Sequence, residues 1–444
     1  MESDPEPDVF DPFRQFFSLE RDVLVLSIAM FAFSLGFQMT SRYVPEYMSV
    51  LGASALVIGL FGTVGNVISA VYPYPGGALS DRIGSRLSLT LFGAVSSLGF
   101  AVWLVAPNLG TITVGGVVLE PWIWIFVGLF LAQGWKSFGL GATFAIVKQS
   151  VPPSRLARGF ASTEVFRRTA FLIGPLVAAG VLYAFTDFTA GFQYVLAIAV
   201  VFGVVATAAQ HRLYEAEADS IGKEFEGIAQ IRSDLAELPP ELRPLLVGDT
   251  LVRFANGMVY VFFVIVVVQF LEVGLTVGTV SLSPAVFFGV LLAIEMVVAL
   301  VSMPPAAKLA ERVGLKPIVC AGFAVYAVFP ILLISAPDSA LVVALLFAFS
   351  GLRFAGLPAH KALIVGPAER DTGGRVSGAY YLLRNTIVIP SAALGGAIYG
   401  GFSIPFTAIG YAGSPTVAFG IASAVGIVGT GYFLAFGKEF EPYA

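Results

Sequence analysis

Charged side chains set inside long apolar runs are the positions where this sequence has chemistry to offer. Glu295 lies in GVLLAIEMVVALVS, Lys136 in LAQGWKSFGLGATF and Arg353 in FSGLRFAGLPAHKAL, none with an opposite charge within one helical turn. A charge at the centre of a membrane helix costs about 2.5–3.5 kcal/mol on insertion scales, so each needs a partner or a water-filled path. A carboxyl in apolar surroundings favours its protonated form and suits reversible protonation. Glu295 is therefore the first proton-coupling candidate and Asp249 the second; the competing arrangement is an ion pair of Glu295 with Arg168 or Arg384. Lys136 and Arg353, if the fold brings them to one cavity, would draw in an anion, the guanidinium gripping a carboxylate or phosphate through its planar fork. The alternative is that both tails turn away toward carbonyls or neighbouring acids. Gln38, Arg42 and Asn256 complete the substrate-binding candidates.

Other charges have local explanations. Glu164 and Arg168 are four apart, as are Asp249 and Arg253, acid first in each case, which suits pairing on one helical face. With Arg384 these form the expected interhelix charges. Arg42 precedes Glu46 by four residues with Pro45 between them, and Arg167 and Lys361 lie near span ends where they can snorkel.

The elements that must hold these residues follow from composition. Of the 444 residues 57% are hydrophobic and 12% charged, whereas soluble domains carry about 25% charged residues. A bilayer core of about 30 Å needs about 20 apolar residues in a helix. Twelve such spans are expected near residues 23–44, 54–75, 87–106, 121–147, 161–185, 191–211, 244–271, 284–305, 317–336, 340–365, 377–401 and 416–437. The fold class is thus an all-α membrane protein of twelve transmembrane helices. The acidic opening MESDPEPDVFDPFRQFFSLERD shows no cleavable signal. Cys320 is the single cysteine, and His211 and His360 are far apart, so neither an intrachain disulfide nor a metal site is expected.

Connections two, four, six, eight and ten, with both termini, hold 17 of the 25 basic residues; the other connections hold none. The positive-inside rule puts both termini in the cytoplasm of a multi-pass cell-membrane protein. Five segments are expected: an N-terminal tail 1–22, a six-helix half 23–211, a cytoplasmic loop 212–243 with an amphipathic helix, a second half 244–437 and a tail 438–444.

The two halves repeat. Asp81, Arg82, Gly84 and Pro107 match Glu311, Arg312, Gly314 and Pro337 at an offset of 230. Beyond the loop NLGTITVGGVVLEPW the offset falls to 217, pairing Gly134, Lys136 and Gly139 with Gly351, Arg353 and Gly356. It is then 216 for Arg168, Gly180 and Tyr183 with Arg384, Gly396 and Tyr399. Two copies in one orientation are related by an axis along the membrane normal, a plan of secondary transporters.

Gly77-x-Leu79-x-Asp81-Arg82-x-Gly84-x-Arg86 resembles the loop motif of the major facilitator superfamily, with a weaker copy at Glu311, Arg312 and Gly314. Ser85 departs from the basic residue usual there, and Ala307 from the first glycine of the second copy. The resemblance implies a two-half fold, a cavity lined by spans one, four, seven and ten, and a motif acid that latches the cytoplasmic side against span eleven. Span five carries GPLVAAG at 174–180, which partly resembles the motif of that family's drug/proton antiporters and equally suits close helix packing.

The function expected is alternating-access transport of a small solute, with proton-coupled efflux of an organic molecule ahead of anion transport through Lys136 and Arg353. No phosphate-binding G-x-x-x-x-G-K-[ST] loop supports ATP-driven pumping. A membrane enzyme or sensor would need catalytic clusters or a soluble domain that the sequence lacks. No cofactor and no nucleic acid are expected, and the partners are the bilayer, the solute and protons around a monomer.

Overall fold

The computed structural model describes residues 21–72, 79, 82–135, 156–213, 238–365, 373–403 and 410–439. By length and composition, seven helices among these residues can cross a membrane, and shorter apolar helices cover Ala55–Val71, Ile123–Gln133 and Thr169–Tyr183. The connection that interrupts the repeat is a β-hairpin, Ile112–Val114 against Val117–Leu119. Gly115 and Gly116 supply its positive φ values of 58° and 84°, as a tight two-residue turn requires.

Span one is Arg21–Thr40, followed after a turn by a short helix, Val44–Val50; span two is Ala55–Val71 and span three Ser85–Leu109. Spans five and six are Leu156–Tyr183 and Phe188–Leu213. In this half span one packs on five and six, and span three on four and six. The second half repeats those relationships: span seven (Arg243–Val259 and its extension) packs on eleven and twelve, and span nine (Leu315–Ile334) on ten and twelve (Pro415–Phe436).

Three spans of the second half are interrupted where polar residues gather. Span seven loosens into a 3-10 turn at Tyr260–Phe262 and a π turn at Val266–Phe270. Span ten breaks between Ala340–Gly351 and Leu357–Val365, with a 3-10 turn at Leu352–Phe354. Pro390 separates Gly373–Val388 from Ser391–Gly400 in span eleven, since it lacks the N–H that would continue the ladder. Such irregular backbone is tolerated at membrane depth where protein surrounds it or water reaches it.

The halves meet through two repeat-related contacts: span two on eleven, and span eight (Pro284–Val313) on five. Small residues permit both. A Cβ on Gly396 would lie 2.6 Å from the Ala55 carbonyl, and one on Gly289 would lie 2.6 Å from the Pro175 carbonyl. Ala393 N–H donates to Thr63 Oγ1 at 2.9 Å, and Tyr43 OH donates to the Ala285 carbonyl at 3.1 Å. These close approaches gather at the end of the seam opposite the basic connections. Toward the other end a Cβ on Gly65 or Gly378 would meet nothing within 4 Å among the described residues.

The loop motif leaves a backbone signature. Gly84 (φ 85°, ψ 154°) and its repeat mate Gly314 (φ 91°, ψ 165°) both stand before a span in a conformation that L side chains rarely adopt. Glu439 of the C-terminal tail then caps span nine, its two oxygens each accepting at 2.9 Å from Leu315 N–H and Lys316 N–H. A carboxylate suits the positive end of a helix.

Candidate functional site

Asp249, on span seven, is 0% exposed and gathers donors from two further spans. Its Oδ1 accepts from Arg253 Nε at 3.2 Å. Oδ2 accepts from Tyr380 OH at 3.1 Å and from Arg384 Nη1 at 3.0 Å. His360 Nε2, on span ten, stands 3.2 Å from the same oxygen. It is off the line of a hydrogen bond, so its attraction is chiefly electrostatic and exists when the imidazole is protonated. Arg253 also donates from Nη1 to Tyr326 OH at 2.9 Å. Two guanidinium groups thus share one carboxylate, leaving a positive surplus.

The Arg253 and Arg384 pair opens onto a cavity of about 190 Å³ between spans two, seven and eleven, where Asn66, Asn256, Tyr260 and Asn385 supply the other polar groups. Among the described residues no acid lines this cavity. The side-chain amides of Asn66 and Asn256 have no hydrogen-bond partner among the described residues. Gly62 and Ala392, at the tight part of the seam, form its end wall.

A second buried constellation lies between spans eight and ten. Arg353 Nη2 is 2.7 Å from Glu295 Oε1, with both side chains at most 3% exposed, and Ser350 Oγ donates to the same oxygen at 2.5 Å. The spans approach closely because position 351 is glycine: a Cβ there would lie 2.8 Å from Val298 Cβ. Arg353 Nε and Nη1 have no hydrogen-bond partner among the described residues. The rings of Tyr326 and Phe354 flank that cation at 5.1 and 4.8 Å, a cation–π enclosure.

The expectation of an unpaired Glu295 is therefore corrected: its partner among the described residues is Arg353, while Arg384 pairs with Asp249. Of the two arrangements open for Arg353, the structure has the one turned toward an acid. Arg42 and Glu46 form no pair: Arg42 stacks over Tyr260 at 4.3 Å, and Glu46 accepts from Gln269 Nε2 at 2.9 Å. Both contacts cross to span seven of the other half, because the chain turns after span one and Pro45 opens a new helix. Asn256 lies in the cavity, while Gln38 sits half-buried against span five at Gly174. Arg86 Nε donates to the His211 carbonyl at 2.7 Å; Arg82 and Arg312 are exposed.

Lys136, Gly77 and Asp81 lie outside the described residues, as do the side chains of Glu164, Arg168 and Glu311 and residues 214–237 of the central loop. Sequence reasoning missed His360, Tyr380 and Asn385. A usable signal was there: Arg384 has no local acid, and Asp249 stands in another span of the same half.

Comparisons with known proteins agree on the fold. The family model described as Major Facilitator Superfamily matches residues 26–286, more than half of the chain. An uncharacterized MFS-type transporter of Mycobacterium tuberculosis is 29% identical over 206 residues, which cover 46% of this chain and 45% of that protein. The chain thus matches less than half the length of that relative. An uncharacterized MFS-type transporter of Methanocaldococcus jannaschii is 21% identical over 385 residues, 86% of this chain and 89% of its own. Among solved structures, the nucleoside transporter NupG superposes with TM-score 0.70 at 12% identity, covering 94% of this chain and all of its own. A peptide transporter, POT, gives TM-score 0.67 at 13% identity over 98% and 99% of the two chains. Identities this low speak for the fold alone.

Proposed function

The chain belongs to the Major Facilitator Superfamily, and from that premise we propose proton-coupled export of a small organic solute, with both termini cytoplasmic. Alternating access between the halves is the transport mode of this fold. One observation carries the reading most directly. The seam is sealed at Gly59, Gly62, Ala392 and Gly396, and about one turn further along span two, at Asn66, it widens into the polar cavity. The basic connections lie at the other end, so the sealed end is the outer one and the cavity belongs to an inward-facing state.

Proton coupling is assigned to Asp249 and His360, because Glu295 is held by Arg353. Imidazole takes up and releases protons in the physiological range. A proton on His360 gives Asp249 a third cationic neighbour, weakening the claim of Arg384 on Oδ2 and freeing that guanidinium for the cavity. The GPLVAAG stretch supports export by resemblance, and its Pro175 and Ala179 form the span five to eight contact at Gly289.

The test is efflux from proteoliposomes preloaded with a panel of small organic solutes under an imposed pH gradient. Gradient-dependent flux that His360→Gln uncouples supports the assignment. Gradient-dependent flux unchanged in His360→Gln would remove His360 from the coupling, and absence of any protein-dependent flux would overturn transport of these solutes.

A further inference from the structure

We propose that the cavity of spans two, seven and eleven binds the carboxylate of a small organic anion on the Nε–Nη2 edge of Arg384, with Arg253 as the second cation. This rests on the transporter reading above and names the class of its substrate.

Arg384 uses Nη1 to hold Asp249. Its other edge, Nε and Nη2, points at a single atom, the Oδ1 of Asn385, at 3.1 and 2.8 Å. That edge presents two parallel N–H groups, the geometry a carboxylate matches with both oxygens. An amide oxygen from the adjacent residue occupies it as a neutral stand-in, one acceptor where an incoming anion would bring two. The guanidinium is anchored on two sides, since Asp249 holds one end and the Tyr381 ring lies 4.7 Å beneath its Cζ. Arg253 is anchored alike by Asp249 and Tyr326, and its Nη2 has no hydrogen-bond partner among the described residues.

Charge points the same way. Within this wall Asp249 supplies one negative charge against two positive ones, and among the described residues no acid lines the cavity. Water-filled, such a site tolerates a surplus cation; once dehydrated by closure it does not, so the occupied state gains most from an anion. The amides of Asn66 and Asn256 and the Tyr260 hydroxyl line the rest, offering donors and acceptors to the body of the solute. The Arg353–Glu295 pair adds nothing to this sum, being neutral.

The experiment measures binding rather than flux. Purified protein is melted with benzoate, succinate or glutarate, with the uncharged benzamide and succinamide as matched controls, and with inorganic phosphate. At least one carboxylate should raise the melting temperature while its amide does not. Asn385→Asp places a built-in carboxylate on the same fork; it should melt no lower than wild type and weaken carboxylate binding by about tenfold or more, the worth of a charge-assisted bidentate contact. Asn385→Ala, which removes the stand-in, should retain or tighten binding.

Stabilisation by none of the carboxylates, equal stabilisation by the amides, or stabilisation by phosphate alone would each overturn the proposal. So would carboxylate binding that Asn385→Asp leaves unchanged. None of these results would touch solute flux in proteoliposomes, and loss of flux would leave the binding result standing.

Discussion

Arg353 and Glu295 face each other at 2.7 Å between spans ten and eight, where neither side chain is more than 3% exposed. Their neutralisation turns two isolated membrane charges into one internal tie. Removing one partner of such a pair leaves an uncompensated buried charge, worth about 3–5 kcal/mol. Here Arg353 already lacks hydrogen-bond partners for Nε and Nη1 among the described residues.

Glu295→Gln should therefore lower the thermal unfolding midpoint of the purified protein clearly, and Glu295→Gln with Arg353→Met should recover most of the loss. Transport by the double variant should remain sensitive to the pH gradient. A Glu295→Gln protein that melts like wild type would show the pair to be energetically idle. Loss of gradient sensitivity in a stable double variant would return coupling to Glu295.

The seam of spans two and eleven makes a second prediction. A side chain at Gly396 has no room against Ala55 and Gly59, and small residues are what allow such helices to touch. Gly396→Leu should leave each half folded while forcing the outer ends apart. In a Cys320→Ser background, a cysteine at Thr63 should then react several-fold faster with a membrane-impermeant thiol reagent added outside than it does when position 396 is glycine. Equal labelling of both proteins would contradict the closed seam.

Glu46 gives the outer closure a pH dependence. Burial pushes its carboxyl above the ordinary value of 4.5, opposed in part by the hydrogen bond from Gln269. A raised carboxyl favours the buried, closed arrangement while protonated, so that contribution is fully present below pH 4.5. It is lost as pH rises through the elevated value. Glu46→Gln should hold the outer end closed at neutral pH and flatten this dependence, read as outside labelling of the Thr63→Cys probe against pH. A steeper dependence in the variant would rule out this role.

How much was legible in the sequence depended on the range of the interaction. Hydropathy is local, so the spans at 284–305 and 416–437 correspond to helices Pro284–Val313 and Pro415–Phe436. Backbone demand is also local, and Gly84 and Gly314 share the unusual conformation that their repeated motif implies. The Asp249–Arg253 contact needed only one helical turn. Pairings between spans were illegible for the opposite reason. Glu295 meets Arg353 because Gly351 lets two helices touch, and Arg42 misses Glu46 because Pro45 redirects the chain. His360 looked ordinary in isolation; its place beside Asp249 exists only in the folded bundle, where span ten packs between spans nine and eleven. Asn385 carries no signal at all until Arg384 is seen to lean on it.

Alternation between two closures is the core of this account, and one distance reports it. Spin labels on Ser54→Cys and Phe402→Cys, both exposed at the sealed end, in a Cys320→Ser background, read the separation of spans two and eleven. Pulsed dipolar spectroscopy of the protein in lipid should give a short-distance population that matches the closed seam and a longer one. Their ratio should shift when pH is stepped from neutral to acidic. A single distance, unmoved by pH and by a bound carboxylate alike, would contradict the account.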